Sequence, residues 1–171
     1  MSASTTIHVV TEIPASLASA VKRISRPPRN SGSPPTANDA ITFFGELGVM
    51  QCRSELELGI CVFRQRPALI DRMEQHEKTQ ELLYAIDDDF IAAVAPADPA
   101  TGGPRLSELT AVMVRRGEGL LFQTGAWHWA PFPMKEESFA LVGFARGTAT
   151  KDMIVRELGR TISIAEIAST P

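Results

Sequence analysis

Cysteine is scarce in this chain, with two in 171 residues. Cys52 and Cys61 give no disulfide framework, and their spacing is not that of a zinc site. Both read as buried, reduced thiols. Long apolar runs are missing as well: nothing approaches the roughly 20 residues needed to span a bilayer. Neither sign of charge dominates, since 17 basic residues stand against 20 acidic ones for a net charge of −3. That balance gives no reason to expect nucleic acid or an anionic membrane as partner. The first residues, Met-Ser-Ala-Ser-Thr-Thr, lack a basic region followed by an apolar core, so no signal peptide is expected and a cytoplasmic protein is. Histidine is limited to three positions, His8, His76 and His128. A hydrophobic content of 44% and a charged content of 22% are ordinary for a globular protein. One domain over residues 1–171 follows, long enough to bury a substantial core.

The hydrophobic pattern is mostly that of strands. Residues 6–13 are β-branched and read as a strand holding His8, a surface or structural histidine. Residues 15–24 repeat Leu17, Val21 and Ile24 at helical spacing after Pro14, which predicts a short helix. Residues 26–38 carry four prolines and read as a loop. Short strands are predicted at 41–44 and 49–52, and longer ones at 56–64 and 68–73. Residues 81–86 and 90–95 read as a hairpin about a solvated turn at Asp87-Asp88-Asp89. Residues 96–104 read as a loop, 106–114 as ambiguous with strand favoured at 111–114, and 120–123 and 139–145 as strands. Residues 151–158 look helical, with a last strand at 161–164. Many short strands between turn signals argue for an all-β sandwich or barrel. The barrel core is expected at about 40–147. A strand, helix and proline-rich loop (1–39) precede it, and a helix and strand (148–171) follow.

Chemistry concentrates in two stretches. Met73 to Leu83 contains Glu74, His76, Gln80 and Glu81 immediately before an apolar strand. In a strand, residues two apart share a face, so Glu74 and His76 point together, and a turn at Glu77-Lys78 swings Glu81 towards them. Gly125-Ala126-Trp127-His128 supplies the second stretch. Two imidazoles and two carboxylates are a plausible shell for a divalent transition metal with open positions. A protein that holds these residues without any metal is the competing reading.

Glu74-x-His76 followed by Glu81 resembles the first motif of the cupin superfamily, with Glu in place of its first His. Gly117, Gln123, Gly125 and His128 resemble the second, with Gln in place of Pro and Phe132 at the terminal Asn position. Over roughly Leu56 to Gly147 the chain resembles, more narrowly, the ureidoglycolate lyase family (once called ureidoglycolate hydrolase). The features that carry this are Glu74-x-His76-x-x-Thr79-Gln80-Glu81, Val62-Phe63-Arg64-Gln65-Arg66-Pro67, Ala93-Val94-Ala95-Pro96, Gly117-Glu118-Gly119-Leu120, Ala126-Trp127-His128-Trp129 and Ala145-Arg146-Gly147. It departs from that family at Trp129 (usually His), Leu121-Phe122 (Asn-Tyr), Ala145 (Asp) and Ala85 (Pro), which makes its pocket more apolar.

The resemblance implies a double-stranded β-helix barrel of the cupin type with one or two short peripheral helices, and a homodimer. It also implies cleavage of the hemiaminal C–N bond of ureidoglycolate, a small hydroxy acid, to glyoxylate and urea. In that scheme Glu81 or Glu74 is the base and His128 the acid. Glu74, His76, Glu81 and His128 hold a divalent ion (Ni, Mn, Zn or Fe) and no organic cofactor is needed. Arg64, Gln80, Trp127, Trp129 and Arg146 contact the substrate, an arginine pairing with its carboxylate. Two alternatives stay open: a related cupin lyase, isomerase or hydratase acting on another small hydroxy or keto acid, and a non-catalytic small-molecule-binding cupin.

Overall fold

Strands whose side chains alternate between two packed faces dominate the chain, and their pairing defines the architecture. The computed structural model describes residues 5–27, 36–37, 42–52 and 54–165. In chain order the strands are β1 (Thr5–Val10), β2 (Val21–Ile24), β3 (Thr36–Ala37), β4 (Thr42–Phe43), β5 (Leu56–Arg64), β6 (Leu69–Gln75) and β7 (Glu81–Ala85). They continue as β8 (Phe90–Ala95), β9 (Thr110–Val114), β10 (Gly119–Phe122), β11 (Trp127–Pro133), β12 (Glu137–Ala145) and β13 (Ile154–Ala165). Two 3-10 turns, Ala15–Leu17 and Leu106–Glu108, and one short helix, α1 (Thr148–Lys151), complete the list among the described residues.

The central eight strands pair as nested antiparallel couples: β5 with β12, β6 with β11, β7 with β10 and β8 with β9. Successive couples fall alternately in two sheets. A long four-couple hairpin has therefore been rolled up, which is the double-stranded β-helix of the cupin type. One sheet runs β2-β10-β7-β12-β5. The other is extended by β13 on β6, and β1 lies parallel to both β13 and β9, so β1-β13-β6-β11-β8-β9 closes into a barrel.

Two apolar cores result, sharing one wall. Phe63, Leu83, Phe90, Val94, Leu120 and Phe122 fill the space between the sheets. Ile70, Met73, Trp127, Phe132, Ile162 and Ile164 come from strands of the closed barrel and fill its interior. Strand β8 belongs to both: Phe90, Ala92 and Val94 face the first core and Ile91, Ala93 and Ala95 the second. All six of its residues are buried, the physical reason that this segment is an unbroken apolar run rather than an alternating one.

The all-β expectation matches the observed fold, but several segments differ from the sequence reading. Residues 15–24 form a single 3-10 turn and then β2, because pairing with β10 outweighs the helical spacing. Residues 151–158 are not helical beyond Lys151; Ile154 to Glu157 pair with Gln75 to Arg72 on the open edge of β6. Residues 49–52 form no strand. Strands β7 and β8 are not a hairpin, since they lie in different sheets and Asp87 to Asp89 cross between them. Asp87 accepts a hydrogen bond from the Phe139 amide and Asp89 one from the Arg116 amide, so the acidic run ties neighbouring turns together. Strand β11 escaped the reading because Pro131, Pro133 and a bulge between Trp129 and Phe132 interrupt its pattern. Cys52 is exposed and Cys61 half-buried, both as free thiols. The proline-rich loop and Ile41 lie largely outside the described residues. No helix among those described is long and apolar enough to cross a membrane.

Candidate functional site

Glu74 is the next-to-last residue of β6, directly opposite His128 on β11. Cross-strand partners have their side chains on one face, and this brings His128 Nε2 to 3.8 Å from Glu74 Oε1. Past Gln75 the chain turns. The Gly125 amide donates to the His76 carbonyl at 2.7 Å, and the Glu77 and Lys78 amides donate to the Asp152 carboxylate at 3.1 and 2.9 Å. Thr79, also buried, accepts from the Ala145 amide at 3.1 Å. The turn delivers Glu81 at the head of β7, where Oε2 lies 2.8 Å from His76 Nε2 and 3.4 Å from His128 Nε2. Ligand atoms of His76, Glu81 and His128 all fall within 4.8 Å of one another. Glu74, His76, Glu81 and His128 thus converge between the two sheets.

The hydrogen bonds on the outer nitrogens fix what the inner ones present. His76 Nδ1 lies 2.7 Å from the Asp152 carbonyl and His128 Nδ1 lies 3.1 Å from that of Ala126. A carbonyl oxygen only accepts, so both Nδ1 atoms carry the proton. Each Nε2 then directs a lone pair at a carboxylate, unless it binds a second proton. His128 Nε2 is buried and makes no hydrogen bond. Two lone pairs facing a carboxylate require positive charge between them, from imidazolium protons or from a cation. The residues therefore fit a divalent transition ion.

The ion-free electrostatics agree. Burial acts to raise the Glu81 carboxyl, but the two imidazoles facing it outweigh burial and hold it at about 2. Burial acts to lower both histidines, yet Glu81, with the Asp152 carbonyl and Glu74 on His76 and Glu74 on His128, raises them. Glu74 is raised by burial, the His128 charge only partly opposing it. Phe122 stacks on the His128 ring at 4.5 Å, with the ring planes 14° apart, and Phe144 lies 6.4 Å from His76. The walls are apolar.

The remaining candidates lie elsewhere. Arg64 sits at the far end of β5, exposed and paired with Glu137 at 2.8 Å. Arg146 is near the centre's end of the barrel, but is exposed and paired with Glu55 at 2.6 Å. Gln80 donates to the Gln123 side chain and accepts from the Gln51 amide, both at 2.6 Å. These glutamines line a cavity of about 830 Å³ with Ser54, Glu77 and Thr124. Trp127 points away from His128, as alternation along β11 demands. It is fully buried in the closed barrel, with Nε1 donating to the Gly102 carbonyl at 3.0 Å. Trp129 packs against the same core, with the Arg72 guanidinium 6.0 Å from its ring centroid. Trp127→Ala is expected to cost roughly 3–5 kcal/mol in urea unfolding, while Trp127→Phe leaves ligand affinity per folded molecule unchanged. A selective loss of affinity in the Phe variant would restore the tryptophan to the site.

Asp152 is the functional residue that the sequence reading missed. It clamps the 76–78 turn with its carboxylate and orients His76 with its carbonyl, yet lies 75 residues from Glu77 along the chain. No local spacing announces such a contact. Asp152→Ala is expected to weaken divalent-ion affinity about 10–100-fold, as read by competition with a chromogenic chelator; unchanged affinity would reduce Asp152 to a loop residue.

The sequence matches no family profile and no curated protein. Among solved structures, 18 chains match. RmlC from Streptococcus suis, in complex with dTDP-D-xylose, is similar at 6% identity and a TM-score of 0.42, over 53% of this chain and 44% of that one. Oxalate decarboxylase from Bacillus subtilis is similar at 11% identity and a TM-score of 0.42, over 61% of this chain and 24% of that one. Procruciferin, the 11S globulin of Brassica napus, is similar at 14% identity and a TM-score of 0.41, over 60% and 23%. The chain thus spans less than half the length of each.

Proposed function

We propose that the centre formed by Glu74, His76, Glu81 and His128 acts on a small hydroxy acid as a carbon–nitrogen lyase, with ureidoglycolate as the substrate to test. The observation that carries this reading is the convergence of two Nε2 lone pairs and two carboxylates in one apolar-walled cleft. His76, Glu81 and His128 would hold a divalent ion, which when bound supplies Lewis acidity to a substrate hydroxyl.

The chain's own part is proton transfer. In hemiaminal cleavage the hydroxyl gives up its proton, its oxygen electrons form the carbonyl, the C–N bond breaks towards nitrogen, and the urea nitrogen takes up a proton. Glu81, held at about 2 between two imidazoles, is a weak base. Glu74, raised by burial and with its side chain 22% exposed, is the stronger and more accessible one. His128 Nε2 cannot both hold an ion and deliver a proton. With the ion bound, Glu74 therefore takes the hydroxyl proton and returns it to the leaving nitrogen. The apolar rings of Phe122 and Phe144 favour a second reading, a related lyase, isomerase or hydratase for a less polar hydroxy or keto acid.

The test is release of urea and glyoxylate from ureidoglycolate by protein purified without chelator, alongside its metal content. A tightly held ion with no release would shift the reading to another acid. Neither ion nor turnover would leave a binding protein. A homodimer belongs to the same reading and is supported by Leu56, Leu58, Ile60 and Val62, all apolar and all exposed on the outer face of β5. Sedimentation velocity is expected to give a dimer and Ile60→Lys a monomer; a wild-type monomer would remove that element.

A further inference from the structure

We infer that Val155 forms an apolar lip of the cleft that holds the His76/Glu81/His128 centre, and that it receives the alkyl tail of a 2-hydroxy acid whose polar end lies at the centre. This rests on the reading of the centre as a small-acid site. It adds a specificity-determining residue from β13, a strand outside the rolled hairpin.

The first argument is register. His128 on β11 is the direct cross-strand partner of Val94 on β8 and of Glu74 on β6, and Glu74 is in turn the partner of Val155 on β13. Directly opposed residues share one face of a sheet. Val94 packs in the core between the two sheets, and His128 turns to Glu74 and Glu81 in the same space. The row Val94-His128-Glu74-Val155 therefore faces the cleft, with Cβ atoms about 5 Å apart from one strand to the next. Ile154 is in register with Gln75 and turns to the other face.

The second argument is the direction in which the cleft opens. Exposure along the row is 0% at Val94, 4% at His128, 22% for the Glu74 side chain and 45% at Val155. The facing sheet shows the same trend in the row Leu120, Leu83, Val142 and Gly59, which runs from β10 to the edge strand β5. Leu120 and Leu83 are buried, whereas Val142 and Gly59 are partly exposed. Residues 65–68 join β5 directly to β6, so both rows open on the same side. The way out from His128 thus leads past Glu74 to a valine.

A polar centre that continues into an apolar lip suits an amphiphilic ligand. The buried His128 Nε2, without a hydrogen bond, marks the polar end. Val155 lies two strand spacings from His128, about 10 Å, within reach of a tail attached to a head group at the centre. Its methyl groups offer no hydrogen bond, so a tail gains there only by removing apolar surface from water.

The experiment is calorimetric titration of Mn²⁺-supplemented protein with glycolate, 2-hydroxybutyrate and 2-hydroxyhexanoate, in wild type, Val155→Thr and Ile154→Thr. Threonine keeps the β-branched shape that suits a strand; thermal melts and metal content are recorded for each protein. In wild type, 2-hydroxyhexanoate is expected to bind at least about tenfold tighter than glycolate. Val155→Thr is expected to cut that ratio at least about threefold while leaving glycolate affinity and metal content unchanged, and Ile154→Thr to preserve the ratio. A wild-type affinity that is flat or falling with tail length would overturn the assignment. So would a ratio untouched by Val155→Thr, an equal fall of the ratio in both variants, loss of glycolate binding in Val155→Thr, or no binding of any acid to wild type. If wild type fails to cleave ureidoglycolate while the tail series holds, the lyase reading falls and the lip stands; cleavage with a flat series gives the reverse.

Discussion

Glu81→Gln is expected to abolish tight divalent-ion uptake and to lower turnover of the true substrate by roughly 10²–10⁴-fold. Oε2 of Glu81 is the one atom that both imidazoles face, at 2.8 and 3.4 Å. A glutamine keeps the volume and removes the charge. Its NH2 can donate one N–H to each imidazole lone pair, but it offers only N–H groups or a neutral oxygen where an ion needs an anionic donor. The same change removes the main group that raises His76 and His128, so in the ion-free variant burial dominates and both histidines become neutral at lower pH. Metal content after dialysis, thermal melts and steady-state rates measure the three consequences. An ion affinity equal to wild type would show that the cluster is a buried ion pair and no metal site.

The pH dependence of stability is expected to differ in sign with and without a divalent ion. In chelator-treated protein, Glu81 is depressed from 4.5 to about 2. Its contribution is fully present above pH 4.5 and is lost as pH falls through 2, a span worth on the order of 3 kcal/mol. His76 and His128 are raised above 6.5, so their share is fully present below pH 6.5 and is lost as pH rises through their folded values. Glu74, raised by burial, also favours the fold most when protonated and less as pH rises past its own range. The ion-free protein is thus most stable between about pH 4.5 and 6.5. An ion in the centre needs both imidazoles neutral, so adding Mn²⁺ or Zn²⁺ should stabilise little at pH 5 and progressively more towards pH 8. Melting temperatures at four pH values, with and without ion, decide this. An ion effect that is flat with pH would exclude displacement of the imidazole protons.

What could be read from the sequence, and what could not, follows from the range of the forces involved. The 76–81 turn and the Gly125 approach to His128 are encoded locally, by alternation, charge clustering and a residue at φ 80 that glycine adopts freely. The four centre residues were therefore visible as a group. The aromatic and basic candidates were not, since their roles depend on which face a strand turns inward. Trp127 and His128 are adjacent, and one fills the closed barrel while the other enters the cleft. Arg64 and Arg66 are two apart; the first pairs with Glu137 and the second folds onto the β11 bulge. Residues 151–158 show the same limit. Helical spacing at a chain segment lost to the hydrogen bonds waiting on the edge of β6.

The parallel contact of β1 with β13 also governs the order in which the molecule assembles. Thr6 and Ser163, whose hydroxyls lie 2.8 Å apart, are separated by 157 positions in the chain. Closing so large a loop costs entropy before any contact repays it, and such non-local pairings slow folding. The rolled hairpin of β5 to β12 needs no residue beyond Ala145, so it can form while β13 is still being synthesised. Until Ile162 and Ile164 seat, the apolar face bearing Trp127 and Phe132 stays open to water. The tryptophan would thus change environment late, giving a spectroscopic marker of barrel closure separable from the formation of the rolled unit.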